Sequence, residues 1–229
     1  MPEHTELLPD SLPVEPLAIV KEWLAQAAAA RTQPNPNSMV LATASPDGRA
    51  SARVVLCKEV VVSPGFVVFY TNYHSAKGRE LADNPYAAGV MHWDALHRQV
   101  RIAGPVTLAP AADSDAYFAT RAWQSRLGAW ASQQSEPIGS RALLLEAVRS
   151  TAQRFGAPLP GSAGAADPVQ VNIPRPPQWG GYRLWAQTVE LWVEGAARVH
   201  DRALWTRRVT AAAGGGFGTG AWSATRLQP

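Results

Sequence analysis

The chain has 229 residues but only one cysteine, Cys57, which excludes a framework of intramolecular disulfide bonds. Charged residues make up only 17% of the chain, so we do not expect it to be largely disordered. No apolar run approaches the roughly 18 residues that a membrane-spanning helix needs. The first ten residues, MPEHTELLPD, lack the apolar stretch of a signal peptide. These absences predict a cytoplasmic protein with no membrane partner.

Several motifs that would assign a function are also missing. No G-x-G-x-x-G motif follows a strand and opens a helix, and no Walker loop or G-x-S-x-G elbow occurs. His92 and His97 lie five positions apart, which is not the spacing of a helical metal pair, so we predict no metal site. The net charge of +3 comes from scattered basic residues, which indicates small anionic ligands rather than nucleic acid.

The residues that are present predict a mainly β protein of the α+β class. Residues 1–15 are polar and contain three prolines, and we predict a flexible segment there. From residue 16 onward the patterns predict a helix, three strands, a short helix, two strands, three helices and four strands. A long loop is expected at 156–178 and a mobile hairpin tip at 211–220. Because strands and helices do not alternate, we expect an antiparallel barrel with helical insertions, as a single domain over residues 16–229.

The C-terminal stretch RVHDR carries the densest group of candidate functional residues. Arg198, His200 and Arg202 alternate with other residues, so in an extended strand all three would share one face. Like charges on one face are unfavourable unless an anionic or electron-rich group lies between them. The pattern therefore predicts a ligand of that kind against this strand.

Basic residues also occur where secondary structure elements begin and end. Arg53 and Lys58 bracket a strongly apolar stretch, which predicts a central strand with functional ends, although two solvated charges would also fit. Ser75 and Lys77 lie at the start of a predicted helix, where free N–H groups and the helix dipole favour a phosphate. Ordinary helix capping explains that pair equally well.

Other polar residues suggest hydrogen bonds to a ligand. Tyr117, Arg121 and Ser125 have the spacing of one helix face and could grip a phosphate, but spacing alone favours an exposed polar face. Gln99, Gln134 and Ser135 are neutral hydrogen-bonding residues, and Trp192 could stack on a ring. Cys57 is best interpreted as a small buried core residue.

Ten segments of the chain, from about Pro16 to Pro229, resemble the pyridoxamine 5'-phosphate oxidase family when taken together and in order. They are NSMVLATAS, SARVVLCK, FYTNYHSAKGREL, RQVRIAG, YFATR, LGAWASQQS, WGGYRL, ELW, RVHDR and RLQP. The resemblance implies a homodimeric split β-barrel that binds FMN at the dimer interface. It implies oxidation of pyridoxine 5'-phosphate or pyridoxamine 5'-phosphate to pyridoxal 5'-phosphate, with O2 as the acceptor. Hydrogen peroxide would be produced, and ammonia would be released from the amine.

The resemblance also implies roles for individual residues. FMN would be bound by Arg53, Val54, Val55, Leu56, Cys57, Lys58, Tyr70, Thr71, Ser75, Lys77, Gln99, Gln134, Ser135, Trp192 and Arg202. The phosphorylated substrate would be bound by Lys58, Tyr117, Arg121, Ser125, Arg198 and His200. Of these, Arg198 and His200 would be catalytic, because they would cover the substrate ring against the flavin.

The sequence departs from the family pattern at two places. Ala76 stands where many members carry an arginine before the phosphate-binding lysine, and the N-terminus is acidic rather than carrying a basic Arg-x-x-Tyr segment. Two alternatives therefore stay open: an oxidase of the same fold acting on another substrate, as in phenazine biosynthesis, and a non-catalytic protein that binds FMN or pyridoxal phosphate.

Overall fold

The computed structural model describes residues 7–160, 171–212 and 216–229. The middle of the predicted loop at 156–178 and the tip of the predicted hairpin at 211–220 lie outside the described residues. The two short strands that flank this tip pair antiparallel, as a hairpin requires. The predicted mobility of the tip stays a prediction.

The described residues form five α-helices at the predicted places: α1 (Pro16–Ala30), α2 (Ala76–Asp83), α3 (Ala111–Thr120), α4 (Trp123–Ala131) and α5 (Arg141–Phe155). Local capping explains several of their ends. Glu15 accepts a hydrogen bond from the N–H of Leu17 at the start of α1, and Ser140 accepts one from Leu143 at the start of α5. Helix α5 ends at Gly156, whose left-handed backbone conformation is easiest for glycine.

Twelve strands are described. They are β1 (Ser38–Ala44), β2 (Ala50–Leu56), β3 (Glu59–Val61), β4 (Phe66–Asn72), β5 (Tyr86–Trp93), β6 (Arg98–Leu108), β7 (Trp179–Trp185), β8 (Thr188–Val193), β9 (Asp201–Thr206), β10 (Val209–Ala211), β11 (Phe217–Thr219) and β12 (Ser223–Leu227). Seven of them run in the order β12-β9-β8-β6-β5-β1-β2, while β3 pairs β4, and β7 pairs both β4 and β6. The predicted mainly β fold with inserted helices is confirmed.

The apolar stretch that follows the first turn, PDG, was predicted to be one central strand, and both parts of that prediction were wrong. The N–H of Cys57 donates to the carbonyl of Asn37, whereas the next N–H, of Lys58, donates to Val68. The stretch divides into β2, which pairs with β1, and β3, which pairs with β4. Strand β2 lies at the end of the sheet order rather than in its middle.

The chain divides into two compact units. The first comprises Met1–Phe69, Glu80–Thr107 and Tyr182–Pro229, and the second comprises Tyr70–Arg79 and Leu108–Gly181. The apolar core of the second unit is formed by Trp123, Leu127, Ala152, Val171 and Ile173. The core of the first unit includes Leu41, Met91, Val100, Leu191 and Trp205, which are almost completely buried. The prediction of a single domain over residues 16–229 stays a prediction.

The described part of the N-terminal segment contacts the C-terminal strands of the first unit. The N–H of Leu8 donates to the carboxylate of Asp201 at 2.8 Å, and the indole of Trp205 donates to the carbonyl of Pro13 at 2.7 Å. These contacts do not test the predicted flexibility of residues 1–15, which stays a prediction. Within the described residues, no helix combines the length and the apolar character needed to cross a membrane.

Candidate active site

Three predicted cofactor residues from distant parts of the sequence lie side by side on the sheet. Gln99 of β6 is paired with Trp192 of β8, and Trp192 is paired with Arg202 of β9. Directly paired residues of neighbouring strands point to the same face. The register therefore aligns an amide, an indole and a guanidinium in one row, which suits a flat ring with polar edges.

A buried carboxylate holds the arginine of this row. Nε and Nη2 of Arg202 donate to Oε1 of Glu190 at 3.0 and 2.7 Å, and its Nη1 donates to the carbonyl of Gln228 at 3.0 Å. The other oxygen of Glu190 accepts a hydrogen bond from Arg101 at 2.8 Å. The Glu190 side chain is only 8% exposed, so its charge is balanced by two guanidinium groups.

The prediction that Arg198, His200 and Arg202 share one face of a strand was wrong. Pairing between β8 and β9 ends at Val193 and Asp201, so residues 194–200 make the turn between the two antiparallel strands. A short 3₁₀ turn covers Ala196–Arg198, and Arg198 has a positive φ of 64°. Only Arg202 lies in the strand, while Arg198 and His200 belong to the loop before it.

His200 is nevertheless oriented by specific contacts. Its ring packs on that of Trp192, with centroids 4.7 Å apart. Its Nδ1 accepts a hydrogen bond from the backbone N–H of Gly195 at 3.2 Å. A nitrogen that accepts cannot carry a proton, so the neutral ring is protonated at Nε2 and can donate from that atom.

In the second unit, the start of α2 contains a buried lysine with several uncharged partners. Nζ of Lys77 donates to Thr71 at 3.0 Å, to Ser75 at 3.1 Å and to Gln134 at 2.8 Å. Lys77 is 7% exposed and Ser75 is completely buried. Ser75 also accepts from the N–H of Gly78 at 3.4 Å, as a helix-capping serine does. The structure therefore brings three predicted cofactor residues, Thr71, Ser75 and Gln134, around the ammonium group of a fourth, Lys77.

Gln134 also lines a cavity of about 480 Å³ within the second unit. The cavity is bounded by the end of β4, by α2 and by the segment after α4, with Asn72, His74, Arg79, Trp130 and Glu136 among its lining residues. Ser135, next in sequence, is exposed and has a φ of 75°. The cavity places space for a ligand beside the cluster around Lys77.

Arg53 lies in the first unit, where its guanidinium contacts several oxygen atoms. It donates to the carbonyl of Leu41 at 3.3 Å, to the hydroxyls of Thr43 and Ser51, and to Glu80 at 3.1 Å. Burial raises the pKa of Glu80, but hydrogen bonds from Thr43 and Ser51 and the charge of Arg53 outweigh it, so the pKa is lowered. Arg53 is thus held in one orientation.

The remaining predicted cofactor residues of β2 point in different directions. Val54 is 63% exposed, whereas Val55 is 9% exposed, as alternation along a strand requires. Leu56 shares the side of Val54, and Cys57, just after the strand, is buried. The four side chains cannot all lie against one ligand surface. Lys58, the next residue, lies between β2 and β3 and is exposed.

The predicted substrate residues Tyr117 and Arg121 meet on an aromatic stack in the second unit. Tyr70, Tyr117 and Trp179 lie nearly parallel, with centroids of Tyr70 and Tyr117 4.1 Å apart and of Tyr70 and Trp179 5.5 Å apart. The guanidinium carbon of Arg121 lies 4.7 Å from the Trp179 ring centroid. Tyr70, predicted for the cofactor, therefore shares a cluster with two substrate residues.

The single helix face predicted for Tyr117, Arg121 and Ser125 was wrong. Helix α3 ends at Thr120, Arg121 has an extended backbone with φ −74° and ψ 146°, and α4 begins at Trp123. The interruption turns the Arg121 side chain onto Phe118 and Trp179. Ser125 lies on the following helix and is exposed.

Arg121 has unused hydrogen-bonding capacity. Its Nη1 is buried and has no hydrogen-bond partner among the residues that the structure describes. Burial lowers the pKa of the guanidinium, and the charge of nearby Tyr117 partly offsets this effect. A buried N–H without an acceptor is unfavourable, and an anionic group at this position would satisfy it.

Among the residues of these clusters that were not singled out from the sequence are Trp179, Glu80, Glu190 and Gly195. One of them had a usable signal. Glu190 alternates with Trp192 along β8, so strand periodicity places both on the same face. The partners of Glu80, Gly195 and Trp179 lie on other elements or across a loop, and no local pattern predicts such contacts.

Comparison with known proteins decides the family. Residues 25–154 match the family described as pyridoxamine 5'-phosphate oxidase. The chain belongs to the pyridoxamine 5'-phosphate oxidase family. Residues 179–229 match the C-terminal dimerisation region of pyridoxine 5'-phosphate oxidases, and this stretch contains Trp192, Arg198, His200 and Arg202. The resemblance predicted from the ten sequence segments is confirmed.

Curated members of the family cover nearly the whole chain. A pyridoxine/pyridoxamine 5'-phosphate oxidase of Burkholderia orbicola is 45% identical over 215 residues, which cover 94% of this chain and 89% of the relative. One of Gluconobacter oxydans is 42% identical over 219 residues, which cover 95% of this chain and 96% of the relative.

Solved structures confirm the fold. PhzG from Burkholderia lata, in complex with tetrahydrophenazine-1-carboxylic acid, superposes with a TM-score of 0.79 at 30% identity and covers 98% of both chains. A pyridoxamine 5'-phosphate oxidase-related, FMN-binding protein from Nostoc punctiforme has a TM-score of 0.64 at 17% identity, with 93% of this chain and 96% of that chain covered. The predicted antiparallel split β-barrel is therefore the fold of this chain.

Proposed function

We propose that the protein catalyses the FMN-dependent oxidation of pyridoxine 5'-phosphate and pyridoxamine 5'-phosphate to pyridoxal 5'-phosphate. O2 would be the acceptor, hydrogen peroxide a product, and ammonia a second product from the amine. The reaction would serve the synthesis and salvage of vitamin B6 in the cytoplasm. The observation that carries the proposal is the buried Nη1 of Arg121, which has no acceptor among the described residues and lies beside an aromatic stack.

A phosphorylated substrate suits Arg121 and its surroundings. A phosphate has several strong acceptor oxygens, and a guanidinium binds it through charge-assisted hydrogen bonds. Tyr117 packs beside Arg121 on the same stack. Lys58, Tyr117, Arg121 and Ser125 are proposed to bind the phosphate, as the family resemblance implies. A substrate without an anionic group would leave the buried N–H of Arg121 unsatisfied.

The residues present also fit FMN. The buried ammonium of Lys77, with Thr71, Ser75 and Gln134 as partners, is suited to a phosphate at the start of α2. Arg53 is proposed as a further phosphate contact, and the row of Gln99, Trp192 and Arg202 would contact the ring system. Bound FMN would supply the redox chemistry, accepting two electrons from the substrate and passing them to O2.

Within this proposal the protein orients the substrate and supplies hydrogen bonds. His200, with Nδ1 held by Gly195, would present its Nε2–H as a donor to the substrate ring. Arg198, in the same loop, would supply a positive charge over that ring. Both residues are proposed to be catalytic because they would contact the reacting molecule and fix its orientation.

A homodimer is part of the proposal. Residues 179–229 match a dimerisation region, and four proposed site residues lie within it. Val40 and Val54, opposite each other on β1 and β2, are 43% and 63% exposed in the single chain. Exposed apolar side chains on a sheet face are typical of a surface that a second subunit covers. The cofactor sites would then lie at the interface.

The decisive experiment follows the absorption of the oxidised flavin without oxygen. The protein is loaded with FMN, pyridoxine 5'-phosphate or, in a second run, pyridoxamine 5'-phosphate is added anaerobically, and air is admitted afterwards. We expect the flavin band to bleach and to return with air, with no bleaching by unphosphorylated pyridoxine at the same concentration. Retained absorption with both phosphorylated substrates would show that the proposed activity is wrong.

The similarity to PhzG supports a second candidate, a flavin oxidase that acts on a phenazine precursor. Tetrahydrophenazine-1-carboxylic acid, the molecule bound to PhzG, is therefore tested in the same anaerobic assay. Bleaching by this compound alone would favour the second candidate. If FMN binds and no substrate bleaches it, the protein is the non-catalytic flavin-binding alternative.

A further inference from the structure

Glu190 is a carboxylate buried on the sheet face that carries the row of Gln99, Trp192 and Arg202. It lies two residues before Trp192 on β8, and so on the same side of that strand. Its pairing partner on β6 is Arg101, and its partner on β9 is Leu204. Arg202 is therefore its diagonal neighbour, within reach of a long side chain. The carboxylate therefore lies beside the row and is not part of it.

We propose that Glu190 is a positioning residue that fixes the guanidinium of Arg202 for contact with the cofactor. The inference rests on the proposed function, because it assumes that Arg202 contacts FMN. Glu190 itself would contact neither the cofactor nor the substrate.

The hydrogen bonds of Arg202 support this role. Two of its three nitrogen atoms donate to the same oxygen of Glu190, and the third donates to the carbonyl of Gln228. An arginine side chain has several rotatable bonds, and holding it in one geometry on binding costs conformational entropy. Glu190 fixes the geometry of the Arg202 side chain before FMN binds, so less conformational entropy is lost on binding.

Charge balance explains how a carboxylate is tolerated at this place. Glu190 has one negative charge, and Arg101 and Arg202 together have two positive charges. The cluster therefore keeps a net charge of about +1, which favours an electron-rich ligand. Arg101 is 56% exposed and donates to the other oxygen of Glu190, Oε2. We infer that Arg101 neutralises Glu190 and contributes little to the orientation of Arg202.

A double-mutant cycle on the full-length protein tests the inference. The dissociation constant of FMN is measured by quenching of flavin fluorescence for the wild type, E190A, R202A, the double variant and R101A. We expect E190A and R202A each to weaken FMN binding about tenfold, as loss of a charged hydrogen bond does. The double variant should be no weaker than R202A, because Glu190 acts only through Arg202.

Other outcomes overturn the inference. Losses that multiply in the double variant would show that Glu190 acts independently of Arg202. If E190A or R202A bound FMN as tightly as the wild type, Glu190 would not affect FMN binding through Arg202. R101A should bind FMN within about twofold of the wild type. If R101A lost as much FMN affinity as E190A, the effect would belong to the whole cluster of Glu190, Arg101 and Arg202.

A second variant guards against loss of the fold. E190Q keeps the shape of the side chain and one acceptor oxygen, and thermal unfolding without FMN measures its stability separately. E190Q should weaken FMN binding less than E190A and, again, not further in the R202A background. If the wild type itself does not bind FMN, the proposed function fails. If the wild type binds FMN and the losses of E190A and R202A multiply in the double variant, only the proposed role of Glu190 fails.

Discussion

The backbone N–H of Gly195 lies 3.2 Å from Nδ1 of His200 and donates a hydrogen bond to it. The contact closes the loop between β8 and β9 and determines which nitrogen of the neutral imidazole carries the proton. The loop needs glycine at this position. A Cβ on Gly195 would lie 1.7 Å from the carbonyl oxygen of Val199, far inside van der Waals contact.

Gly195→Ala should therefore lower turnover by about tenfold or more, because His200 loses its orientation. FMN affinity should change much less, since Lys77 and its partners lie on other elements. Steady-state rates and FMN titration are measured together. Gly218→Ala is a matched control, because a Cβ there would lie 3.8 Å from its nearest neighbour. Normal turnover of Gly195→Ala would contradict the role given to the loop.

Arg121→Met should raise KM for the phosphorylated substrates by about 10- to 100-fold, because a charged donor to the phosphate is lost. Methionine keeps much of the length and apolar contact of the arginine stem. Arg149→Met, which removes an exposed arginine of α5, should leave KM unchanged. An Arg121 variant with unaltered KM would mean that the buried N–H does not serve the phosphate.

Lys77→Met should weaken FMN binding by about 10-fold or more, because the buried ammonium at the start of α2 is the proposed phosphate contact. The affinity is read from flavin fluorescence, and stability from thermal unfolding of the protein without FMN. Lys21→Met on the exposed side of α1 is the control and should bind FMN like the wild type. Equal affinities of all three proteins would exclude the proposed phosphate site.

Glu80→Gln should lower the unfolding temperature at pH 7 by about 4–8 °C, on the basis of about 2 kcal/mol for charged hydrogen bonds to a mostly buried carboxylate. The pKa of Glu80 is lowered in the folded state from its ordinary value of 4.5. The ionised form therefore stabilises the fold above about pH 4.5, and this contribution is lost as the pH falls through the folded pKa.

The difference between wild type and Glu80→Gln should accordingly shrink as the pH is lowered from 5 toward 3, measured by thermal unfolding without FMN. Glu136→Gln breaks an exposed ion pair with Arg79 and should have little effect at any pH. A difference for Glu80→Gln that stays constant across this range would exclude the ion pair with Arg53 as its cause.

Cys57 should be inert in the native protein. Burial raises the pKa of its thiol to about 12, so almost no thiolate is present at neutral pH, and its side chain is about 1% exposed. A thiol reagent such as dithionitrobenzoate should label the protein rapidly only after unfolding in guanidinium chloride. Stoichiometric labelling of the native protein within minutes would contradict this burial.

Local sequence patterns predicted the elements of the fold well. Pro16 and Ser75 mark helix starts that the structure confirms, and the local residue patterns predicted strands such as β5 and β8. These signals succeed because capping and strand alternation depend on residues a few positions apart. The short range of these signals also explains which predictions were wrong. The helix face predicted for Tyr117, Arg121 and Ser125 was wrong where the Arg121 side chain packs on Trp179, a partner far along the chain.

The candidate site, too, was predicted in part from the sequence and determined in part by the tertiary structure. Residue types and their order identified Arg198, His200, Arg202, Lys77 and Arg121 as ligand-binding candidates. The sequence by itself determined the family, the mainly β composition and the chemical groups available for binding. Only the tertiary structure aligned Gln99 with Trp192 and Arg202, because register depends on hydrogen bonds between distant strands. It also decided that His200 is held by Gly195 and Arg202 by Glu190, because these partners meet only once the strands have paired.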